Sequence, residues 1–127
     1  MADVAGMLKE FHETFEVEGD RNKPGLPSDH VAELRYSLLR EEFLEYQDAA
    51  DDKNVIEVAD ALADMVYIIY GTARSYGIDL DSVLEEVHRS NMAKLVDGKV
   101  VRRADGKVLK PEGWQPPDVL NAMFGKR

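Results

Sequence analysis

Residues 55–71 read VIEVADALADMVYIIYG, and only three of these seventeen positions, Glu57, Asp60 and Asp64, carry charge. All three are acids, spaced by three and four, so on an α-helix they stack along one face. A helix apolar on nearly every other side belongs in an interior, and the expectation is that the acid stripe points inward with it. A buried carboxylate without a partner is costly and takes up a proton unless it is paired or holds a cation. The stretch contains no Lys, Arg or His to neutralise it. A bound cation is the first candidate; a narrow solvated edge on an ordinary amphipathic helix is the plainer alternative.

A second acidic group, Glu41, Glu42 and Glu45, lies upstream. Ser28 or Asp29 caps the helix that carries it, which runs to about residue 50. Val31, Leu34 and Leu38 define its apolar stripe, and continuing that stripe by threes and fours lands on Glu41 or Glu42 and then Glu45. Acids at positions where the pattern asks for core residues mark a polar site built into a helix bundle. Residues 51–54 form a polar turn, with Asn54 placed to cap the next helix. So short a connection makes the two helices antiparallel neighbours with their acids facing each other.

Elsewhere the chain reads as follows. Val4, Met7, Leu8, Phe11 and Phe15 have helical spacing, and His12 beside them is a core or edge residue. A Gly- and Pro-containing loop covers residues 18–28. Gly77 ends the third helix, and Asp79 or Asp81 starts a fourth, with Leu80, Val83, Leu84, Val87 and Met92 or Leu95 inward. Residues 100–103 and 107–110 flank Ala104-Asp105-Gly106 as a hairpin, and a short helix follows over residues 118–124. The expected architecture is all-α: an antiparallel helix bundle completed by oligomerisation, with a small C-terminal β-hairpin arm. It is one domain over residues 1–127, with a helical body at 1–95 and hairpin and tail at 96–127.

With 127 residues and 44% hydrophobic composition the chain can bury only a modest core. It has no Cys, which removes disulfides, thiolate metal sites and cysteine nucleophiles. No basic start followed by an apolar run opens the sequence, and the apolar run at 65–70 is far too short to span a bilayer, so a cytoplasmic location is expected. A net charge of −9 argues against general nucleic-acid binding. Residues 94–110 nevertheless carry six basic side chains (Lys94, Lys99, Arg102, Arg103, Lys107, Lys110) against two acids. An acidic body with one basic arm suits a phosphate ligand bridged to the protein by metal; a merely charged hairpin is the alternative.

Glu42 and Glu45 form an E-x-x-E pair, and Glu57 and Asp60 an E-x-x-D pair. Hard cations such as Mg²⁺ take oxygen ligands, keep several waters and recruit substrate phosphates. A di-iron bundle would ask for two E-x-x-H pairs, and Glu85 with His88 is the one such pair in the sequence.

The run LLREEFLEY, followed by EVADALADMVYIIYGTARSYGIDL and EEVHRSNMAKL, resembles the MazG-like all-α nucleoside triphosphate pyrophosphohydrolases. The similarity extends to FHETF near the start and to DGKVLKPEGWQPP near the end, in a phosphoribosyl-ATP pyrophosphohydrolase-like subgroup. The resemblance implies Mg²⁺, with Mn²⁺ as a possible substitute, and hydrolysis of a nucleoside triphosphate to monophosphate and pyrophosphate. It also implies a homodimer or a dimer of dimers. Carried over by position, Glu41, Glu42 and Glu45 are the catalytic acids of the first helix, Glu41 the candidate for activating water. Glu42, Glu45 and Asp64 are metal ligands. Three residues before Asp64 the family often has Glu where this chain has Ala61, so Glu57 or Asp60 stands in. Asn91, Lys94, Lys110, Trp114 and His12 are the substrate-binding candidates. Trp114 either stacks on a base or plugs the tail onto the bundle, and Phe11 and His12 line a base pocket or simply pack. A non-catalytic regulatory bundle and phosphoribosyl-ATP hydrolysis are the other readings.

Overall fold

The computed structural model describes residues 2–125. They hold five helices: α1 (Val4–Thr14), α2 (Asp29–Asp51), α3 (Val55–Tyr76), α4 (Leu80–Met92) and α5 (Val119–Phe124). The chain divides into two compact units, Met1–Ile78 and Asp79–Arg127.

Each helix begins at a side chain suited to its orphan amides. Asp3, Ser28, Asn54, Asp79 and Asp118 accept hydrogen bonds from the backbone N–H three residues on. These caps satisfy donors that a helix start leaves without a backbone partner. The α2–α3 turn closes through Lys53, at φ 54°, and through the Asn54 N–H, which donates to the Ala49 carbonyl at 3.1 Å.

In the first unit α2 and α3 form the main helix pair and α1 packs on α3. Ala49 and Ala61 are buried, and so small a pair of side chains lets two backbones approach closely. Position 61, where the resembled family often has Glu, is thus a contact position. The acids of α3 do not point inward as expected: Glu57, Asp60 and Asp64 are all exposed. Ala61, Gly71, Ala73 and Ser75 are the buried residues of α3 instead, because its apolar surface is wider than α1 and α2 can cover and the smallest side chains take the close contacts. Leu62, Val66 and Ile69 remain exposed as a result.

The stripe on α2 also differs from the sequence pattern. Leu34 is exposed, whereas Arg35 is buried at 7% relative exposure. On α1 the buried side chains are Leu8 and His12. Leu84, Met92 and Leu95, expected inward, are exposed. At Arg35 and His12 a polar group with hydrogen-bond partners in its own unit took the buried place.

In the second unit α4 contacts α5. Between them the backbone makes two isolated antiparallel bridges, Val96 with Lys99 and Arg102 with Val108, and the described residues contain no strand. The Trp114 indole N–H donates to the Ser90 carbonyl at 2.6 Å, satisfying one of the free carbonyls in the last turn of α4. Glu86 accepts from the Asp118 N–H at 2.7 Å.

Gly77 closes α3 in the left-handed region at φ 65°. Its N–H donates to the Arg74 carbonyl at 3.1 Å, and a Cβ there would run into the Lys23 carbonyl oxygen. Gly77→Ala combines unfavourable φ with that collision and should destabilise the fold by more than about 1 kcal/mol. A urea midpoint unchanged from the wild type would disprove this account of the α3 terminus.

Candidate active site

The acids gather where α2 and α3 lie side by side. Glu42 of α2 is within hydrogen-bonding contact of Glu45, one turn on, and of Asp64 across on α3. Loss of solvent, and then hydrogen bonding and like charge from Glu45 and Asp64, push the Glu42 carboxyl from its ordinary 4.5 up to about 7. No cationic side chain is among the groups acting on it. Near neutrality the Glu42 carboxyl therefore still holds a proton for part of the time and can donate it to a neighbouring carboxylate.

Glu41, one residue before Glu42, is exposed. Glu57 and Asp60 continue the Asp64 face towards the start of α3 and are exposed as well. The sequence-level choice between them as a further ligand has no counterpart in a contact to the Glu42 cluster. Among the described residues no three His, Asp or Glu side chains stand as a ready-made cage for a metal ion.

The donor set nevertheless fits Mg²⁺. It consists of oxygens only, and loss of solvent together with the neighbouring carboxyls has raised the pKa of one of them; a divalent cation would offset the like charge. Mg²⁺ needs one or two protein carboxylates, with water and substrate oxygens completing its octahedron, so a closed protein cage is not required.

The two acid-bearing helices are held together by a residue that pattern reasoning passed over. Arg35 of α2 donates from Nε to the Thr72 hydroxyl at 3.1 Å and from Nη2 to the Ile68 carbonyl at 3.0 Å. Burial lowers its pKa, and the charge of Asp20 opposes that shift. Gly71 leaves room for this crossing, since a Cβ there would meet Arg35 Nη2 at 2.5 Å and His12 Nε2 at 3.0 Å. His12 is only 3% exposed, and its Nδ1 lies 2.9 Å from both oxygens of Asp20. Asp20 also accepts from Arg74 Nε at 2.9 Å. The loop between α1 and α2 is thereby strapped to the end of α3. A buried polar residue inside an apolar period was the available signal for Arg35 and His12.

The remaining substrate candidates lie in the second unit. The Nζ atoms of Lys94 and Lys110 are 5.4 Å and 5.0 Å from the centre of the Trp114 ring, within cation–π range. Asn91 is exposed near the end of α4. Trp114 is half-buried, with its N–H committed to α4.

The family model described as phosphoribosyl-ATP pyrophosphohydrolase matches residues 8–91. The chain belongs to that family, which falls within the MazG-like all-α nucleoside triphosphate pyrophosphohydrolase superfamily. It is also similar to the uncharacterized protein L479 of Acanthamoeba polyphaga mimivirus, 36% identical over 66 residues that make up 50% of this chain and 26% of that protein. The chain thus spans about a quarter of the length of that relative. Among the described residues no helix is long and apolar enough to cross a membrane.

A raised carboxyl pKa has a definite consequence for stability. Glu42 favours the folded state while protonated; that contribution is complete below the unfolded value of 4.5 and is lost as pH rises through about 7. In chelator, Glu42→Gln should melt with the wild type at pH 4 and above it at pH 8. Parallel melting curves for the two proteins across that range would show that the three carboxyls do not interact.

Proposed function

We propose that this chain is a Mg²⁺-dependent hydrolase that cleaves a nucleoside triphosphate to the monophosphate and pyrophosphate. The observation that carries the reading is the clustering of Glu42, Glu45 and Asp64 from two helices without a cation to balance them. Family membership supports pyrophosphohydrolase chemistry. Glu42, Glu45 and Asp64, with Glu57 or Asp60, would hold the metal, and Mn²⁺ is a natural substitute.

When bound, Mg²⁺ supplies the positive charge that draws a polyphosphate to an otherwise repulsive surface and acidifies water there. Glu41, outside the hydrogen-bonded cluster, accepts the proton of the attacking water. Water breaks the link between the α- and β-phosphates, and pyrophosphate leaves. Asn91 of α4, and Lys94, Lys110 and Trp114 beyond it, are kept as substrate-binding candidates on the family resemblance alone, the two ammonium groups being suited to phosphate. His12 acts through Asp20, holding the adjoining loop.

The family's own description favours a second substrate, phosphoribosyl-ATP, which changes the ligand and not the bond broken. Pyrophosphate release from a panel of nucleoside triphosphates and phosphoribosyl-ATP separates the two. In either case Glu45→Gln and Asp64→Asn should each lower the rate by roughly 100-fold or more, as losses at metal sites do, without lowering the melting temperature in chelator. Full activity of both variants at saturating Mg²⁺ would end the metal-site reading.

We further assign the working unit to a homodimer or a dimer of dimers. Phe43 and Leu44 on α2 and Leu62, Val66 and Ile69 on α3 are exposed, and apolar surface of this kind is normally covered in use. Light scattering should give at least twice the mass of one chain. A folded, active monomer at micromolar concentration would refute the assignment.

A further inference from the structure

The loop between α1 and α2 ends against the last turn of α3, and together they wall an open cavity of about 470 Å³. Its lining is Asp20, Arg21, Asn22, Lys23 and Arg74, all within the first unit. Arg74 lies ten residues beyond Asp64 on α3, a rise of about 15 Å along the helix, so the cavity and the acids are separate places.

Surface cations usually swing freely, but the backbone of this loop is pinned. The Arg21 N–H donates to the Arg74 carbonyl and the Gly25 N–H to the Tyr76 carbonyl, each at 3.0 Å. The Arg21 guanidinium folds back over Gly25, where a Cβ would collide with Nη2, and its Nε donates to the Lys23 carbonyl at 3.3 Å. Pro24 and Pro27 restrict the loop further. The same amides remove an obstacle. A helix C-terminus repels anions through its free carbonyls, yet here the Ala73, Arg74 and Tyr76 carbonyls accept from Ile78, Arg21 and Gly25.

The lining side chains are mainly donors. Asp20 is the one acid among them, and it is already matched. It accepts from Arg74 Nε and lies 2.9 Å from His12 Nδ1, and the charge of Arg35 acts on it as well. Among the described residues Arg74 and Arg21 each bond through Nε alone, and the Lys23 ammonium and the Asn22 amide have no side-chain partner. Three cations against one paired acid leave this corner positive on a chain of net charge −9.

We propose that this cavity is an anion site for a phosphate group, taking inorganic phosphate or pyrophosphate. Guanidinium Nη donors match phosphate oxygens as a fork, and an ammonium adds a point charge. Arg21 and Lys23 come from the loop and Arg74 from α3, so a bound phosphate bridges the two and tightens their contact. The loop leads into α2, which carries Glu42 and Glu45, and the anion therefore stabilises the helix pair that bears the acids. The site stands on its own residues, independent of the catalytic reading.

The test titrates metal-free protein with sodium pyrophosphate and with sodium phosphate, followed by calorimetry and by melting temperature. Metal is removed on a chelating resin, so that no dissolved chelator competes as an anion. Without metal the acids of α2 and α3 repel both probes. Binding should raise the melting temperature of the wild type. Arg21→Gln combined with Lys23→Gln, which leaves the loop's backbone bonds in place, should weaken pyrophosphate binding about tenfold or more. Arg74→Lys, which keeps the charge and loses the fork, should weaken it less. Lys9→Gln, which removes a cation paired with Glu13 on α1, should leave it unchanged. Tighter binding of pyrophosphate than of phosphate means that loop and helix each hold one phosphoryl group; equal affinities mean that they share one, and either supports the site. No binding at millimolar anion overturns the proposal. Unchanged affinity in the double variant also overturns it, placing the anion on the basic residues of the second unit, and so does an equal loss in Lys9→Gln, the mark of attraction by overall charge.

Discussion

The buried guanidinium of Arg35 is the interaction on which the site depends. It joins α2 to α3 through the Thr72 hydroxyl and the Ile68 carbonyl, one and two turns beyond Asp64. A side chain making two directed bonds to a neighbouring helix fixes rotation and register together, which apolar contacts among Ala, Leu and Val do not. Glu42 and Glu45 lie two to three turns along α2 from Arg35, so the register set at Arg35 determines which acids of α3 they meet. Placing the charge there is itself unfavourable, as its lowered pKa shows. Removing either partner of such a contact leaves a desolvated group unpaired.

The acid cluster works in the opposite direction. The Glu42 carboxyl, in contact with Glu45 and Asp64 and pushed up to about 7, opposes the pairing that Arg35 enforces. Locally unfavourable groups held by favourable ones elsewhere are characteristic of functional sites. The His12–Asp20–Arg74 bonds add to the restraint, because they tie the loop ahead of α2 to the far end of α3. Their proximity to Gly71 explains why a residue without a side chain sits where α1, α2 and α3 converge.

The second unit is organised by different contacts. Arg89 and the Asp118 N–H hold the Glu86 carboxyl down at about 2, and Trp114 covers the free carbonyl of Ser90. These are local latches between α4 and the tail, in a unit whose described residues bury Ser82 and Ser90 rather than large apolar side chains. The two lysines beside Trp114 remain close together because both reach the same ring.

The helices were legible in the sequence because their signals are local. Ser28, Asn54, Asp79 and Asp118 are cap residues wherever they occur before such patterns, and Gly77 reads as a terminus for the same reason. The pairing of α2 with α3 followed from the short turn at 51–54, and the meeting of Glu42 with Glu45 from spacing on one helix. The family too was readable, from stretches distributed over most of the chain. What the sequence left open were matters of competition for space. Apolar periodicity pointed to Leu34, yet Arg35 is the buried neighbour, since its hydrogen-bond partners sit on a helix some thirty residues away. The same periodicity put the acids of α3 inside, whereas Ala61 took the contact and Asp64 stayed at the edge facing Glu42. Phe11 and His12 looked equivalent as adjacent residues, and the fold buried one against Asp20 and left the other beside an open pocket. Periodicity tells which face of a helix is apolar; only the neighbouring helices decide how much of that face they cover and which polar groups find partners beneath it.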